Sequence, residues 1–468
     1  MKTVCLYFEI HQNIHLKRYR FFDIGRDHYY YDDYENERAI AITAEQSYVP
    51  ALKALIEMAE TYGDYLKMAF SLSGTAIELL ETYAPQVIEL LQELSHKCTV
   101  EFLAETYSHG LASLTDSHLA FKDEVERLCK KVEELFGQRP QVFRNSALIY
   151  SDDIGLTVSQ MGFKGMLTEG AKHVLGWKSP HYVYHCAYNP NLKLLLRDSR
   201  LSEDISLRFN DSSWSEYPLF ADTYADWVAN QADDGPVVNL FMELCALGIF
   251  QPLSSNILEF FKALPEQLRK RGVVFATPSE ICAKAQSAGA LHVPYPITWV
   301  DEERDISSWL GNVMQREAFE KLYSVADRVM LCSDRRIKQD WDYLQASNNL
   351  RFINTKPSSY GGYRGIYDSP YDAFTNYMNI LGDFTTRVNN LFPADADSDE
   401  LNSLLTTIKN QEDALALRDK EIAKLQDLLE QVTKDNKATT KATEQAKQPK
   451  NKTTVRKKKS KDSTETSL

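Results

Sequence analysis

The 468-residue sequence lacks the features that mark several classes of protein. No apolar run reaches the ~18 residues of a membrane-spanning helix, and the N-terminus has no signal-peptide core. We therefore expect no membrane partner and a cytoplasmic location. The seven cysteines are scattered singly without a Cys-x-x-Cys pair, so neither a metal site nor a disulfide framework is expected.

Glycine-rich phosphate loops are also missing. The chain contains neither Gly-x-Gly-x-x-Gly nor Gly-x-x-x-x-Gly-Lys, which argues against nucleotide binding of those types. A net charge of -13 disfavours a nucleic-acid partner. Residues 434–468 depart from this balance, with eleven Lys/Arg against four Asp/Glu and almost no apolar residues. This composition predicts a disordered basic tail.

Short apolar runs alternate with amphipathic stretches through residues 1–285. This alternation is typical of an α/β domain with a parallel sheet. The number of runs fits a β/α barrel slightly short of eight strands, although an open doubly wound sheet has the same periodicity. The predicted strands are Thr3–Ile10, Lys67–Leu72, Thr99–Ala104, Gln141–Asn145, Phe163–Leu167, Val237–Met242 and Gly272–Ala276.

The remaining chain changes character twice. Residues 286–392 have helical spacing and predict a second, helical domain, and residues 393–400 read as an acidic linker. A heptad pattern then fills the segment to residue 433, in which one apolar seam is intact and the second is polar in its middle. The intact seam consists of Leu401, Ile408, Leu415, Ile422 and Leu429. This predicts a coiled coil through 401–432 that joins copies of the chain into a homo-oligomer; a single amphipathic helix lying on the protein is the alternative.

Polar residues follow several of the predicted strands. His11, Glu105, Glu169 and Glu243 each stand at or just after a strand's carboxyl end, where active sites of β/α barrels are built. Two carboxylates that flank a sugar bond can act as nucleophile and acid. The same residues also fit ordinary first-turn acids of the following helices or solvated loop residues.

The chain resembles glycoside hydrolase family 57, of the α-amylase type. The resemblance is carried by motifs such as Leu167-Thr168-Glu169-Gly170 and covers about residues 1–392 in order. The similar stretches are residues 6–12, 17–25, 27–33, 100–107, 167–170, 174–177, 238–242, 301–305 and 367–374.

Membership of this family implies a seven-stranded β/α barrel followed by a helical domain. It also implies retaining chemistry on α-glucans such as maltooligosaccharides, starch or glycogen, with no metal or other cofactor. The resemblance places Glu169 at the nucleophile and Glu243 at the general acid/base. We expect His11, Glu105 and Trp177 to bind the sugar.

Several positions depart from the family pattern. Glu243 replaces an Asp, and a carboxylate one methylene longer can be misplaced by about 1 Å, which costs on the order of a hundredfold in rate. Cys245, Asn13 and Ala147 stand where the family has Glu, Pro and Glu, and residues 347–349 lack a Ser-Asp-His pattern. These changes remove acidic or polar groups while the scaffold motifs remain.

Two functions therefore stay open at this point. The first is a working or weakened retaining hydrolase of α-1,4-glucans. The second is a catalytically inactive α-amylase-like homologue that binds an α-glucan or a partner through the same cleft. A scaffold whose important part is the coil and tail is a third reading with less support.

The heptad pattern yields a test of oligomerisation. Truncation after residue 395 removes both apolar seams, so the mass measured by light scattering is expected to fall to that of one chain. A full-length variant in which Leu415 and Ile422 are replaced by Lys is the matched control and should behave like the truncation. An unchanged mass in both would rule out self-association through this segment.

Overall fold

The computed structural model describes residues 2–231, 234–356 and 366–392, together with scattered helical positions between 403 and 425. Residues 1–396 form one compact unit and residues 397–468 a second. The predicted linker 393–400 and basic tail 434–468 lie outside the described residues. The first unit carries the sheet and the candidate site.

Seven parallel strands form the centre of the first unit. In chain order they are β1 (Thr3–Ile10), β2 (Lys67–Leu72), β3 (Thr99–Phe102), β4 (Val142–Arg144), β5 (Gly165–Glu169), β6 (Lys193–Arg197) and β7 (Val237–Glu243). Short strands add to the edges or pair separately: Tyr184–Cys186, Leu247–Gly248, Gln251–Pro252, Val274–Phe275 and Ala290–Leu291. The predicted α/β fold with a mostly parallel sheet is confirmed.

The strand pairings close on themselves. They run from β1 through β2 to β3, and a single parallel bridge between Ala104 and Phe143 leads to β4. From β4 they continue through β5, β6 and β7, and β7 pairs again with β1 over seven positions. The described strands thus form a closed ring and not the open sheet that periodicity alone allowed.

Helices surround this ring and continue beyond it. Those that alternate with or follow the strands are α1 (Asp33–Thr43), α2 (Val49–Tyr62), α3 (Gly74–Tyr83), α4 (Gln86–Lys97), α5 (Leu119–Phe136), α6 (Asp152–Gln160), α7 (Lys172–Leu175), α8 (Ser199–Ser206), α9 (Ala221–Ala229), α10 (Ile257–Lys270) and α11 (Pro278–Lys284). The later helices are α12 (Ser307–Leu310), α13 (Val313–Tyr323), α14 (Ala326–Leu331), α15 (Arg335–Leu344), α16 (Ser347–Arg351) and α17 (Pro370–Asn389). None of the described helices has the length and apolarity to cross a membrane.

Side-chain alternation along the strands separates two cores. On β1, Val4, Leu6 and Phe8 join the large apolar cluster shared with the helices. Cys5 and Tyr7 belong instead to a smaller cluster inside the ring, with residues such as Leu167, Leu195 and Phe241. This interior cluster fills the ring. Residues that continue the same alternation toward the carboxyl ends of the strands also point into the ring, above the apolar cluster.

The predicted boundary near residue 285 and the helical domain 286–392 remain predictions, since both segments lie in the same compact unit. In the second unit, described residues between 403 and 425 are helical. Leu404, Ile408, Leu415, Ile422 and Leu425 there are exposed. This agrees with a helix in the predicted coil but does not test pairing between copies.

Candidate active site

Each strand of the ring contributes one polar residue at its carboxyl end on the interior side. These residues continue the alternation of the interior cluster: Glu9, Ser71, Glu105, Arg144, Glu169, Arg197 and Glu243. Four are carboxylates and two are guanidinium groups. The ring therefore gathers a dense set of charges at one end, although the residues are far apart in sequence.

A cavity opens among these groups. Its charged lining comes from Glu9, Arg144, Arg197 and Glu243, and Trp299 contributes an aromatic face. The remaining lining residues are Tyr7, Leu148, Ser206, Leu207, Phe241, Met242 and Phe250. Charged groups facing apolar and aromatic walls are typical of a small-ligand site.

Arg144 is the centre of one half of the site. Its side chain is 1% exposed and donates to Glu9 at 2.5 Å, while a second nitrogen lies 3.5 Å from Glu105. The Nδ1 atom of His109 lies 2.9 Å from Glu105 and 3.5 Å from Glu9. The His109 ring stacks on His11 with their centroids 3.9 Å apart.

Burial shifts the titration of this half. It raises the pKa of Glu9 to about 8, although Arg144 opposes the shift, and Glu243 and Glu105 raise the pKa further by their charge. Burial likewise raises the pKa of Glu105 against the opposing effect of Arg144. The pKa values of His11 and His109 lie well below the ordinary range because burial disfavours their charged forms. Both imidazoles are therefore neutral at neutral pH.

Donor atoms of Glu9, Glu105 and His109 lie within 4.8 Å of one another, a spacing that would suit a metal ion. The Arg144 guanidinium, however, binds both carboxylates of this group. It neutralises the charge that would attract a cation. We therefore treat the cluster as an arginine–carboxylate network.

Arg197 organises the other half. Its Nη1 atom lies 3.1 Å from Glu169 and 3.2 Å from Glu203, and its Nε donates to the Phe241 carbonyl at 3.0 Å. The guanidinium also lies over the Trp299 ring, 5.4 Å from its centroid. These four contacts hold Arg197 in the wall of the cavity.

Glu169 lies behind Arg197 and is 1% exposed. One carboxylate oxygen accepts from Arg197, and the other, Oε1, is buried without a hydrogen-bond partner among the described residues. Burial raises the pKa of Glu169 although Arg197 and Arg304 lower it. Glu169 does not line the cavity itself.

Glu243 lines the cavity directly and is half-buried. The Cys245 thiol donates to its Oε2 at 3.0 Å. Burial, together with the charge of Glu243, raises the pKa of the Cys245 thiol well above its ordinary range. Cys245 is therefore a neutral donor at the position where the family pattern has an acid.

The five predicted site residues are not all gathered together. Glu243 reaches the cavity, whereas Glu105 is fully buried beneath it and bonds Ser71 and His109. His11 is half-buried, bonds Ser73 and Asn13, and is not among the residues that line the cavity. Trp177 follows α7 and is 93% exposed, outside the cavity lining.

Four polar residues of the site were absent from the prediction. Strand alternation places Glu9 inside the ring with Tyr7, and this signal is present in the sequence. Arg144 and Arg197 end strands just as the predicted acids do. Trp299 comes from a loop after the last strand, for which the sequence offers no comparable signal.

Paired carboxylates at the carboxyl ends of parallel strands are the arrangement used by glycoside hydrolases. The model of glycosyl hydrolase family 57 matches residues 5–294. The protein named "Putative alpha-amylase" from Methanocaldococcus jannaschii is 34% identical over 376 residues, 77% of this chain and 79% of that protein. The chain belongs to glycosyl hydrolase family 57, and the predicted membership is confirmed.

Solved structures show the same fold at low sequence identity. The branching enzyme of this family from Pyrococcus horikoshii has a TM-score of 0.58 at 12% identity, covering 87% of this chain and 95% of its own. The 4-alpha-glucanotransferase from Thermococcus litoralis has a TM-score of 0.56 at 12% identity, covering 84% of this chain and 60% of its own. The alpha-amylase AmyC from Thermotoga maritima has a TM-score of 0.54 at 10% identity, covering 86% and 96%.

Arg144 provides a test of this electrostatic arrangement. Arg144→Gln leaves Glu9 and Glu105 buried without their cation, so the free energy of unfolding at pH 8 should fall by about 3 kcal/mol or more. Without Arg144 the pKa values of both acids rise further. Protonation at lower pH then restores part of the stability, and the loss at pH 5 should be smaller.

Urea unfolding at both pH values measures this difference. Arg271→Gln is the matched control, because Arg271 binds Asp226 in a two-pronged pair away from the cavity and Asp226 is 55% exposed. Its loss should be smaller, since water can replace the missing partner. An equal loss at pH 5 and pH 8 in Arg144→Gln would mean that Arg144 acts by packing and not by charge.

Proposed function

We propose that the chain hydrolyses α-1,4-glucans (maltooligosaccharides, starch or glycogen) with retention of configuration. Glu169 is the nucleophile and Glu243 the general acid/base. The observation that carries this proposal is the state of Glu169, in which Arg197 holds one oxygen and the other oxygen is buried without a partner. An acceptor left unpaired costs about 1–3 kcal/mol, and an attacking nucleophile needs such a free oxygen.

The reaction follows from these roles. Oε1 of Glu169 attacks the anomeric carbon while the bond to the leaving oxygen breaks, and Glu243 gives its proton to that oxygen. Water then attacks the glycosyl-enzyme, the Glu243 carboxylate takes a proton from the water, and Glu169 is released. Arg197 has to move for the sugar to reach Glu169, because Arg197 lines the cavity and Glu169 does not.

The sugar-binding roles are proposals as well. His11 has a neutral ring that can donate or accept. Glu105 supports His109 and Ser71 from below. Trp177 offers an exposed aromatic face on which a longer glucan can stack.

A second candidate function is α-glucan binding without turnover. Two observations favour it: Arg197 separates Glu169 from the cavity, and a neutral thiol, Cys245, replaces an acid beside Glu243. Both describe a site in which a sugar can bind while nucleophile and acid are poorly placed. Family 57 also contains a branching enzyme and a glucanotransferase, so transfer to another glucan is a variant of the first proposal.

The predictions about domain organisation, oligomerisation and location are proposals as well. We propose that residues 286–392 form a helical domain, that residues 401–432 pair copies of the chain as a coiled coil, and that the protein works in the cytoplasm. The exposed apolar residues Leu404, Leu415 and Ile422 support the second point.

Release of new reducing ends from maltooligosaccharides and glycogen tests the proposed hydrolysis. Glu169→Gln keeps an oxygen for Arg197 but removes the nucleophile, so its rate should fall to background, on the order of a thousandfold or more. A wild-type rate equal to that of Glu169→Gln would end the hydrolysis proposal. Calorimetric binding without turnover would then support the second candidate, and absence of binding would eliminate both.

The substituted acid yields a separate prediction. Glu243→Asp combined with Cys245→Glu shortens the acid and places a second carboxylate beside it, which favours retention of one proton on the pair. Activity should rise roughly tenfold to a hundredfold. Cys245→Gln with Glu243→Asp is the matched control, because it adds similar bulk without the charge. Equal rates for the two double variants would show that the second carboxylate adds nothing.

A further inference from the structure

Glu9 is a cavity residue that the proposed mechanism does not use. It lies on β1 directly beside Glu243 of β7 in the strand register, so the two backbones are about 4.8 Å apart, the spacing of paired strands. Residues at the same register point to the same face of the sheet. Both carboxylates line the cavity.

The charges around Glu9 do not balance. Among the residues that the structure describes, the one cation in contact with Glu9 is Arg144, which also binds Glu105. Glu243 adds a third carboxylate, and His11 and His109 are neutral. The other titratable groups facing Glu9 are uncharged at neutral pH, because burial raises the pKa of each: Tyr7, Tyr48 and Cys245. Three carboxylates around one guanidinium leave a net excess of two negative charges if all ionise.

We propose that Glu9 and Glu243 hold one proton between them and that Glu9 is a positioning residue that acts through Glu243. The role rests on the proposed hydrolysis. In the first step the shared proton moves through Glu243 to the leaving oxygen, so that both carboxylates of the pair are ionised while Glu169 loses its charge in the glycosyl ester. In the second step the proton released by the attacking water returns to the pair, so no proton is gained or lost over the cycle.

The pair also compensates for the longer acid. A shared proton needs no single fixed donor geometry, because either member of the pair can carry it. Burial raises the pKa of Glu9 to about 8, so the proton is present at neutral pH. Two carboxylates on register-paired residues that line one cavity cannot both ionise without an electrostatic cost.

Glu9→Gln tests the shared proton, since Gln has the shape of a protonated Glu. In the wild type, Glu9 keeps its proton in the folded state and loses it in the unfolded state between about pH 4.5 and 8. Stability contributed by Glu9 is therefore lost as pH rises through this range. The slope of unfolding free energy against pH counts the extra protons that the folded chain binds. At pH 6–7 this number should be smaller by about one in Glu9→Gln than in the wild type. An unchanged slope would overturn the inference, whether or not the chain hydrolyses glucan.

The pH profile of kcat/KM supplies the readout that a merely structural role would not change. Gln at position 9 cannot share the proton, so the site should lose it at lower pH, and the basic limb of the profile should move to lower pH by about one unit or more. Glu124→Gln is the matched control. Glu124 is buried on α5 and bonded to Ser108, and burial raises its pKa to about 7. This control should change the stability slope but leave the basic limb in place. A basic limb that stays in place in Glu9→Gln would also overturn the inference.

The two proposals fail separately. If the wild type shows no turnover, the same limb is read from the pH dependence of maltooligosaccharide affinity. If Glu9→Gln then loses its affinity for maltooligosaccharides at lower pH than the wild type, the result supports the shared proton even though hydrolysis is excluded. Should Glu9→Gln not fold, Glu243→Gln removes the charge that raises the pKa of Glu9, and the pH at which the folded protein loses its extra proton should fall below 8. An unchanged midpoint would contradict the sharing.

Discussion

Two buried arginines hold the ring closed at its two thinnest seams. Between β3 and β4 the pairing is reduced to a single bridge of Ala104 with Phe143, and between β6 and β7 to one register pair, Arg197 with Asn239. Arg144 crosses the first seam to reach Glu105. Arg197 crosses the second to the Phe241 carbonyl. The interactions that close the sheet are thus the same ones that place the acids of the site.

Because the same arginine contacts close the ring and place the acids, substitutions at the acids also affect the stability of the ring. A buried guanidinium that loses its carboxylate becomes an unpaired charge, which costs about 3–5 kcal/mol. Glu9 and Glu105 are therefore tied to Arg144. Cys245 and Ala147 carry no charge and take no part in the ion pairs of either arginine.

Much of the fold follows from the sequence, and the site follows in part. Alternation of strands with helices predicts six of the seven strands. It misses Lys193–Arg197, because the element directly before this strand is the antiparallel strand Tyr184–Cys186 and not a helix. Acids at strand ends lead to Glu169 and Glu243. Arginine partners such as Arg144 do not emerge, because strand-end position says nothing about which charges meet across a closed ring.

Contacts made by loop residues are even harder to predict from the sequence. Trp299 reaches the Arg197 guanidinium from a segment about one hundred residues further along the chain, and its neighbours Asp301 and Arg304 have left-handed backbones, with φ of 57° and 53°. Such backbone strain costs on the order of 1–3 kcal/mol per residue and concentrates at functional sites. The local sequence does not predict these positive φ values, since neither residue is a glycine.

Charge pairing explains the presence of Glu169 but not its unpaired oxygen. Arg197 already has a second carboxylate, Glu203, and Arg304 binds Glu203 as well. Together these cations hold the pKa of Glu203 below its usual range, although burial acts in the opposite direction. Glu203 alone would leave the two guanidinium groups with one excess positive charge, and Glu169 supplies the second carboxylate. Charge balance does not, however, require that Oε1 of Glu169 be buried without a partner among the described residues. This unpaired oxygen is thus a cost to stability that the ion pairs of the folded chain do not offset.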